Sequence, residues 1–150
     1  IFHSISLFYY FVNLVDFLCR NKGQFRLRWN GAAKAARDPN NVVSDSPVAE
    51  VIDRLDREWV DQLYSHRSDV IHYKADHGGR TMTFKLVEAE VEVGVYAPER
   101  FVNKFDELQE ISETHVMTIH YVAHWLTEKA LDGAIDVAEA LEEHMDQRDE

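Results

Sequence analysis

The stretch whose residue types are best suited to chemistry is LYSHRSDVIHYKAD, residues 63–76. It brings together side chains that move protons, bind anions or donate hydrogen bonds, namely His66, Arg67, Ser68, Asp69, His72 and Tyr73. A histidine exchanges protons near neutral pH, and an arginine offers a planar, permanently charged fork that binds phosphate. These two groups suit metal-independent RNA cleavage. In that reaction the 2′-hydroxyl attacks the adjacent phosphate while one group moves protons and a cation holds the phosphate.

The residues before this stretch predict an amphipathic helix that positions it. Apolar side chains recur every three to four residues, at Val48, Val51, Ile52, Leu55, Trp59, Leu63 and Val70. Asp45 or Ser46 is predicted to cap the helix, with Pro47 at its first position. The helix is expected to run to about Tyr73, so that the polar stretch forms its C-terminal end.

Helical geometry sets a requirement on Arg67 and His72. Five residues of an ideal helix turn through about 500°, which leaves the two positions roughly 140° apart. One undistorted helix therefore does not bring them together. We expect a two-fold dimer that places both pairs in one cleft.

The segment RSDVIHY resembles the R-x4-H signature of the HEPN superfamily, in which a helix ends with Arg, a polar residue, three variable residues and His. The resemblance implies a bundle of four or five helices, usually dimeric. It also implies an endoribonuclease of a toxin, defence or RNA-processing system, although some members have lost catalysis. Arg67 and His72 would be the catalytic pair, and Ser68 would occupy the polar position. We assign Asp69 and Tyr73 supporting roles. One toxin branch has a modifiable Tyr two residues after the His; here Tyr73 is one residue after it and Lys74 follows, so regulation at Tyr73 is not expected.

The same residues also fit an ordinary polar helix end. Arg67 would then bridge Asp69 or a helix carbonyl, and His72 would be a favourable cation at the helix C-terminus. Under this interpretation the chain is a non-catalytic helical dimerisation or interaction module. His66 and His77 are predicted to be surface residues under both interpretations.

A third possibility is a small metal-binding helical bundle. His120 and His124 are four residues apart, share a helix face and could bind one metal ion. His115 is turned well away from them. A two-histidine pair without a clear third ligand favours locally hydrogen-bonded histidines, so no cofactor is predicted.

The rest of the chain predicts a mainly α fold: a four- to five-helix bundle with an inserted β-hairpin at about residues 81–96. Helices are expected at about 2–21, with Gly23 as C-cap, and at 24–37. Strict alternation predicts two strands joined near Glu88 and Ala89. A long helical region is expected from 99 to 146, broken near Gly133, with an apolar face made of Leu108, Ile111, His115, Ile119, Val122, Leu126 and Leu131. We interpret residues 1–150 as one HEPN-like domain whose N-terminus is incomplete, because the sequence does not begin with Met.

Charge is unevenly distributed along a chain of net charge −11. Residues 17–37 contain no acid and six bases, Arg20, Lys22, Arg26, Arg28, Lys34 and Arg37. We expect Arg20, Lys22, Arg26 and Arg28 to help hold RNA, although an ordinary solvated helix face explains the run equally simply. From Glu88 onward there are 17 acidic and four basic residues. That part should repel RNA or bind a basic partner, such as an antitoxin or regulatory protein.

Two further features concern the environment of the protein. The apolar N-terminal segment is marginal in length for a membrane span and is interrupted by polar residues, so no membrane association is predicted. The single cysteine, Cys19, excludes an internal disulfide and fits a reducing compartment. We therefore expect a cytoplasmic protein.

Overall fold

The computed structural model describes the backbone of residues 2–19, 28–72, 82–87 and 90–149, and side chains at 7–19, 28–68 and 94–147. The elements in chain order are α1 (Phe2–Leu18), α2 (Trp29–Arg37), α3 (Pro47–Leu55), a π-helical segment (Asp56–Val60), α4 (Asp61–His72), β1 (Met82–Val87), β2 (Glu90–Val95), α5 (Glu99–Val102), α6 (Asp106–Ser112) and α7 (Ile119–Asp149). The predicted mainly α fold with a β-hairpin is confirmed. None of the helices in these ranges has the length and apolar character needed to cross a membrane.

The chain divides into two compact units. The first unit comprises residues 1–61 and 128–150, and the second comprises residues 62–127. The stretch 63–76 that prompted the functional hypothesis belongs to the second unit, whereas the C-terminal half of α7 belongs to the first. The single-domain interpretation stays a prediction.

The core of the first unit is built around aromatic rings. Phe8 of α1 packs edge-on against Trp29, with ring centroids 4.8 Å apart, and against Trp59, at 5.4 Å. Val12 and Val15, four and seven residues after Phe8, are also buried, so α1 buries a single stripe. The predicted end of α1 at residue 21 and the C-cap at Gly23 lie outside the described residues. Arg28 has an extended backbone, so α2 begins at Trp29 and not at residue 24.

The strongest predicted helix forms as expected but contains an unpredicted π-helical turn. Ser46 precedes it with an extended backbone and Pro47 is its first residue. The Asp61 N–H donates to the carbonyl of Asp56, five residues earlier. A π-turn holds an additional residue, which explains why the neighbours Trp59 and Val60 are both buried. Regular 3.6-residue periodicity cannot predict this insertion.

The predicted break at Gly133 is wrong, because α7 passes through this residue without interruption. The long helical region is interrupted instead at residues 103–105, between α5 and α6, and at residues 113–118, between α6 and α7. A Cβ atom at Gly133 would lie 3.3 Å from Cδ2 of Leu55 and 3.8 Å from Cζ of Phe8. The glycine is therefore explained by close packing inside the first unit.

The second unit has its own aromatic cluster and the β-hairpin. Phe105 lies 4.9 Å from Phe101 and 5.1 Å from Trp125, measured between ring centroids. The two strands pair antiparallel from Met82–Val95 to Val87–Glu90, and both consist of the alternating residues that predicted them. The predicted turn at residues 88 and 89 lies outside the described ranges. Beyond β2, the Ala97 N–H donates to the carbonyl of Met117 at 2.8 Å, which ties the chain after the hairpin to the 113–118 interruption.

Candidate functional site

Arg67 and His72 lie on one regular helix, α4, whose last described residue is His72. As the sequence predicted, the helix places the two positions about 140° apart around its axis, and they are about 7.5 Å apart along it. For Asp69 and His72 the structure describes the backbone alone, and Tyr73 lies outside the described residues. Within one chain, the helix places the predicted pair on different sides.

Arg67 is half-buried and incompletely paired. Its Nε–H is shielded from solvent and has no hydrogen-bond partner in the described part of the chain. Tyr64, one turn earlier, is also half-buried, and burial raises the pKa of its phenol while the nearby positive charge of Arg67 opposes this. A buried donor without a partner costs free energy.

A different set of residues shares the helix face of His72. Ser65, Ser68 and His72 are spaced by three and four residues, so their positions fall within about 60° of one another around α4. Ser65 and Ser68 are exposed. The Nζ of Lys104, which follows α5, donates a hydrogen bond to Oγ of Ser65 at 3.2 Å. The face therefore combines two hydroxyls with one cation.

Sequence reasoning missed Lys104 because it lies 39 residues from Ser65 in the chain. No motif surrounds it, and only the packing of the second unit places it against α4. Asp61 occupies the same face one turn before Ser65 and is exposed.

The prediction that His66 is a surface residue is wrong. The side chain is buried, and its ring packs edge-on against Phe101 with centroids 4.7 Å apart. His66 lies next to Arg67 in sequence but contributes to the aromatic core of the second unit. The companion prediction for His77 falls outside the described residues.

The predicted RNA-holding basic residues are only partly described. Arg28 is exposed immediately before α2, whereas Arg20, Lys22 and Arg26 lie outside the described ranges. At the end of the same run, Arg37 forms ion pairs with Asp53 and with Asp56, the latter at 2.7 Å.

The Arg37 ion pairs belong to a structural network in the first unit. Asp56 is buried in the π-helical segment and also accepts a hydrogen bond from Trp29 Nε1 at 2.7 Å. The hydrogen bonds that Arg37 donates to Asp53 and Asp56 raise the pKa of its guanidinium. The Arg37 guanidinium is therefore paired with one buried carboxylate, that of Asp56, and one half-buried carboxylate, that of Asp53.

His120 and His124 lie on one face of α7 and both are exposed. Among the side chains that the structure describes, no group of three or more His, Cys, Asp or Glu residues could hold a metal ion. His115 lies before α7, where its Nδ1 is 2.8 Å from the hydroxyl of Thr114. The geometry brings these histidines no third ligand within the described ranges.

Comparison with known proteins gives no relative. No protein-family model matches the chain, no curated protein matches it, and no solved structure matches it.

Proposed function

We propose that this chain is a HEPN-like, metal-independent endoribonuclease of a toxin or defence system, active as a homodimer. The observation that supports it best is the position of Arg67 and His72 on one regular helix, α4, with the Arg67 side chain only half-buried. A partly exposed guanidinium can donate to a phosphate oxygen. Because a regular helix separates the two positions around its axis, we propose that the two residues meet across two copies of the chain.

The chemistry follows from the two side chains. His72 takes the proton of a ribose 2′-hydroxyl, the 2′-oxygen bonds to the adjacent phosphorus, and the bond from phosphorus to the 5′-oxygen breaks. The protonated His72 then returns this proton to the departing 5′-oxygen. Arg67 of the other copy neutralises charge that develops on the non-bridging phosphate oxygens. The products are a 2′,3′-cyclic phosphate and a 5′-hydroxyl, and no metal is needed.

The face around His72 supports binding of the RNA backbone. Ser65 and Ser68 offer hydroxyl donors, and Lys104 adds a positive charge at Ser65. Such a surface contacts phosphates without reading base sequence. Lys104 would therefore bind substrate in the same chain as His72, while Arg67 would come from the partner copy.

Incubation of the purified protein with RNA in the presence of EDTA tests the proposal. Cleavage should persist in EDTA, generate cyclic phosphate ends and disappear in both Arg67→Ala and His72→Ala. The matched control is Arg57→Ala, which removes an exposed arginine from the π-helical segment of the first unit. Absence of cleavage by the wild type, or equal cleavage by wild type and His72→Ala, would contradict the proposal.

A non-catalytic interaction module is the second candidate, and the surface of α1 favours it. Tyr10, Leu14 and Phe17 follow a helical stripe and are 71%, 43% and 77% exposed. Exposed apolar stripes of this kind are typical of helices that pack against another protein. A stable dimer that cuts no RNA and is disrupted by Phe17→Ser would support this alternative.

A further inference from the structure

The C-terminal part of α7 carries an exposed row of four apolar residues and one glutamate, which we call the α7 seam: Leu131, Ile135, Ala138, Glu142 and Met145. Leu131 is 60% exposed, Ile135 47% and Met145 43%. The spacing of four, three, four and three residues is the heptad pattern of a coiled-coil contact. The seam is about 21 Å long, from 14 residues at 1.5 Å each.

The α7 seam is distinct from the face with which α7 packs into the first unit. The inward side consists of buried small and apolar residues: Ala130, Gly133, Val137, Ala140 and Leu141. Asp136 further fixes the helix, because its carboxylate accepts a hydrogen bond from Arg54 at 2.6 Å. The burial of α7 in its own unit therefore leaves the seam exposed.

Acidic residues border the seam along one side. These exposed residues lie about 60° to 120° from Leu131 around the helix and are Glu128, Asp132, Glu139, Glu143 and Asp146. Glu142 adds an acid inside the seam itself. The only base between residues 128 and 147 is Lys129.

This charge pattern identifies the class of partner. A second copy of α7 would place carboxylates against carboxylates, which disfavours self-pairing. An RNA strand or an anionic membrane surface would be repelled by the same acids. A partner helix with an apolar row flanked by Lys and Arg would cover the apolar residues of the seam and pair with the acids that border it.

We propose that the α7 seam binds an amphipathic, basic helix from another protein. The partner's apolar side chains would cover Leu131, Ile135 and Met145, while its basic side chains would pair with Glu139 and the other bordering acids. A basic residue opposite Glu142 would fix the register, as polar residues do at single coiled-coil core positions. This inference does not depend on the proposed nuclease activity.

The test uses the full chain and a fluorescein-labelled synthetic helix of about three heptads, with Leu at both core positions and Lys at the flanking positions. A second peptide with the same residues in permuted order, and so the same charge, lacks the apolar row. We expect the first peptide to bind, to bind less tightly as salt rises, and to bind more tightly than the permuted peptide. Leu131→Ala and Ile135→Ala should each weaken binding about tenfold.

Charge and self-association provide the controls. Glu139→Lys should weaken binding, whereas Glu110→Lys, the same change at an exposed residue of α6, should leave it close to wild type. Equal binding of the two peptides, no binding of the first, or full binding by Ile135→Ala would overturn the proposal. So would a homodimer in sedimentation that Ile135→Ala dissociates, since a second copy would then be the occupant. Leu131 and Ile135 are exposed, so loss of folding, checked by circular dichroism, is not expected.

Discussion

Mixing two inactive variants tests whether two copies of the chain share one site, as the geometry of α4 predicts. The Arg67 and His72 Cα atoms are about 8.6 Å apart on an ideal helix, and their side chains start about 140° apart. In a two-fold dimer each composite site takes Arg67 from one copy and His72 from the other. A heterodimer of Arg67→Ala and His72→Ala therefore keeps one intact site and has one site that lacks both groups.

The expected rates follow from this count. Each variant alone should be slower than wild type by about 100- to 10,000-fold, the usual contribution of a positioned proton-transfer group or charge. Random exchange makes half of the dimers heterodimeric, so the mixture should recover about a quarter of the wild-type rate. The assay is initial-rate cleavage of a fluorogenic RNA in EDTA, with heterodimer formation measured by native mass spectrometry.

The control is a mixture of Arg67→Ala with the Arg67→Ala/His72→Ala double variant, which contains no complete pair in any dimer and should stay inactive. Heterodimers that form but remain as slow as the separate variants would refute the argument from helix geometry. Activity in an obligate monomer would refute it as well, because one chain would then complete the site.

Three other outcomes follow from the contacts. Lys104→Gln should raise KM for RNA several-fold with a smaller effect on kcat, because Lys104 would bind the RNA backbone and transfer no proton. The control, Lys129→Gln measured in the same steady-state assay, should leave both values near wild type. Gly133→Leu should lower the free energy of unfolding by about 1–3 kcal/mol in urea melts, since even a Cβ at this position meets a side chain at 3.3 Å, and an unchanged urea midpoint would contradict the observed packing. The hydrogen bond from Arg37 lowers the pKa of Asp53 below the ordinary 3.8, so the stabilisation that this ion pair contributes is present above about pH 4 and is lost as pH falls through the folded-state pKa. Asp53→Asn should therefore flatten the acid side of a plot of unfolding free energy against pH. An unchanged plot would show that the ion pair contributes nothing.

The fold elements with a short, regular signal could be predicted from the sequence. Alternation of apolar and polar residues located both strands of the hairpin, and Ser46 with Pro47 located the start of α3. The π-helical turn and the interruption at 113–118 could not be predicted, because each depends on how neighbouring segments pack. Gly133 was misinterpreted for the same reason: a glycine that permits close packing and a glycine that breaks a helix are identical in sequence.

Of the candidate site, only the part formed by residues close together in the chain could be predicted from the sequence. The spacing of Arg67 and His72 on the predicted helix could be read directly, since a helix fixes the positions of residues a few places apart. Lys104 could not be found, because its approach to Ser65 depends on contacts between distant segments. The burial of His66 against Phe101 was missed because polar residues flank it, which indicates exposure when tertiary contacts are unknown.

The two proposals concern different residues of opposite charge. RNA would be held by Arg67 and Lys104, whereas the seam at Leu131 and Ile135 is bordered by acids and would bind a basic helix. No residue is common to the two proposed surfaces. The two activities are therefore separable: Ile135→Ala should weaken peptide binding and keep RNA cleavage, while His72→Ala should keep peptide binding and lose cleavage.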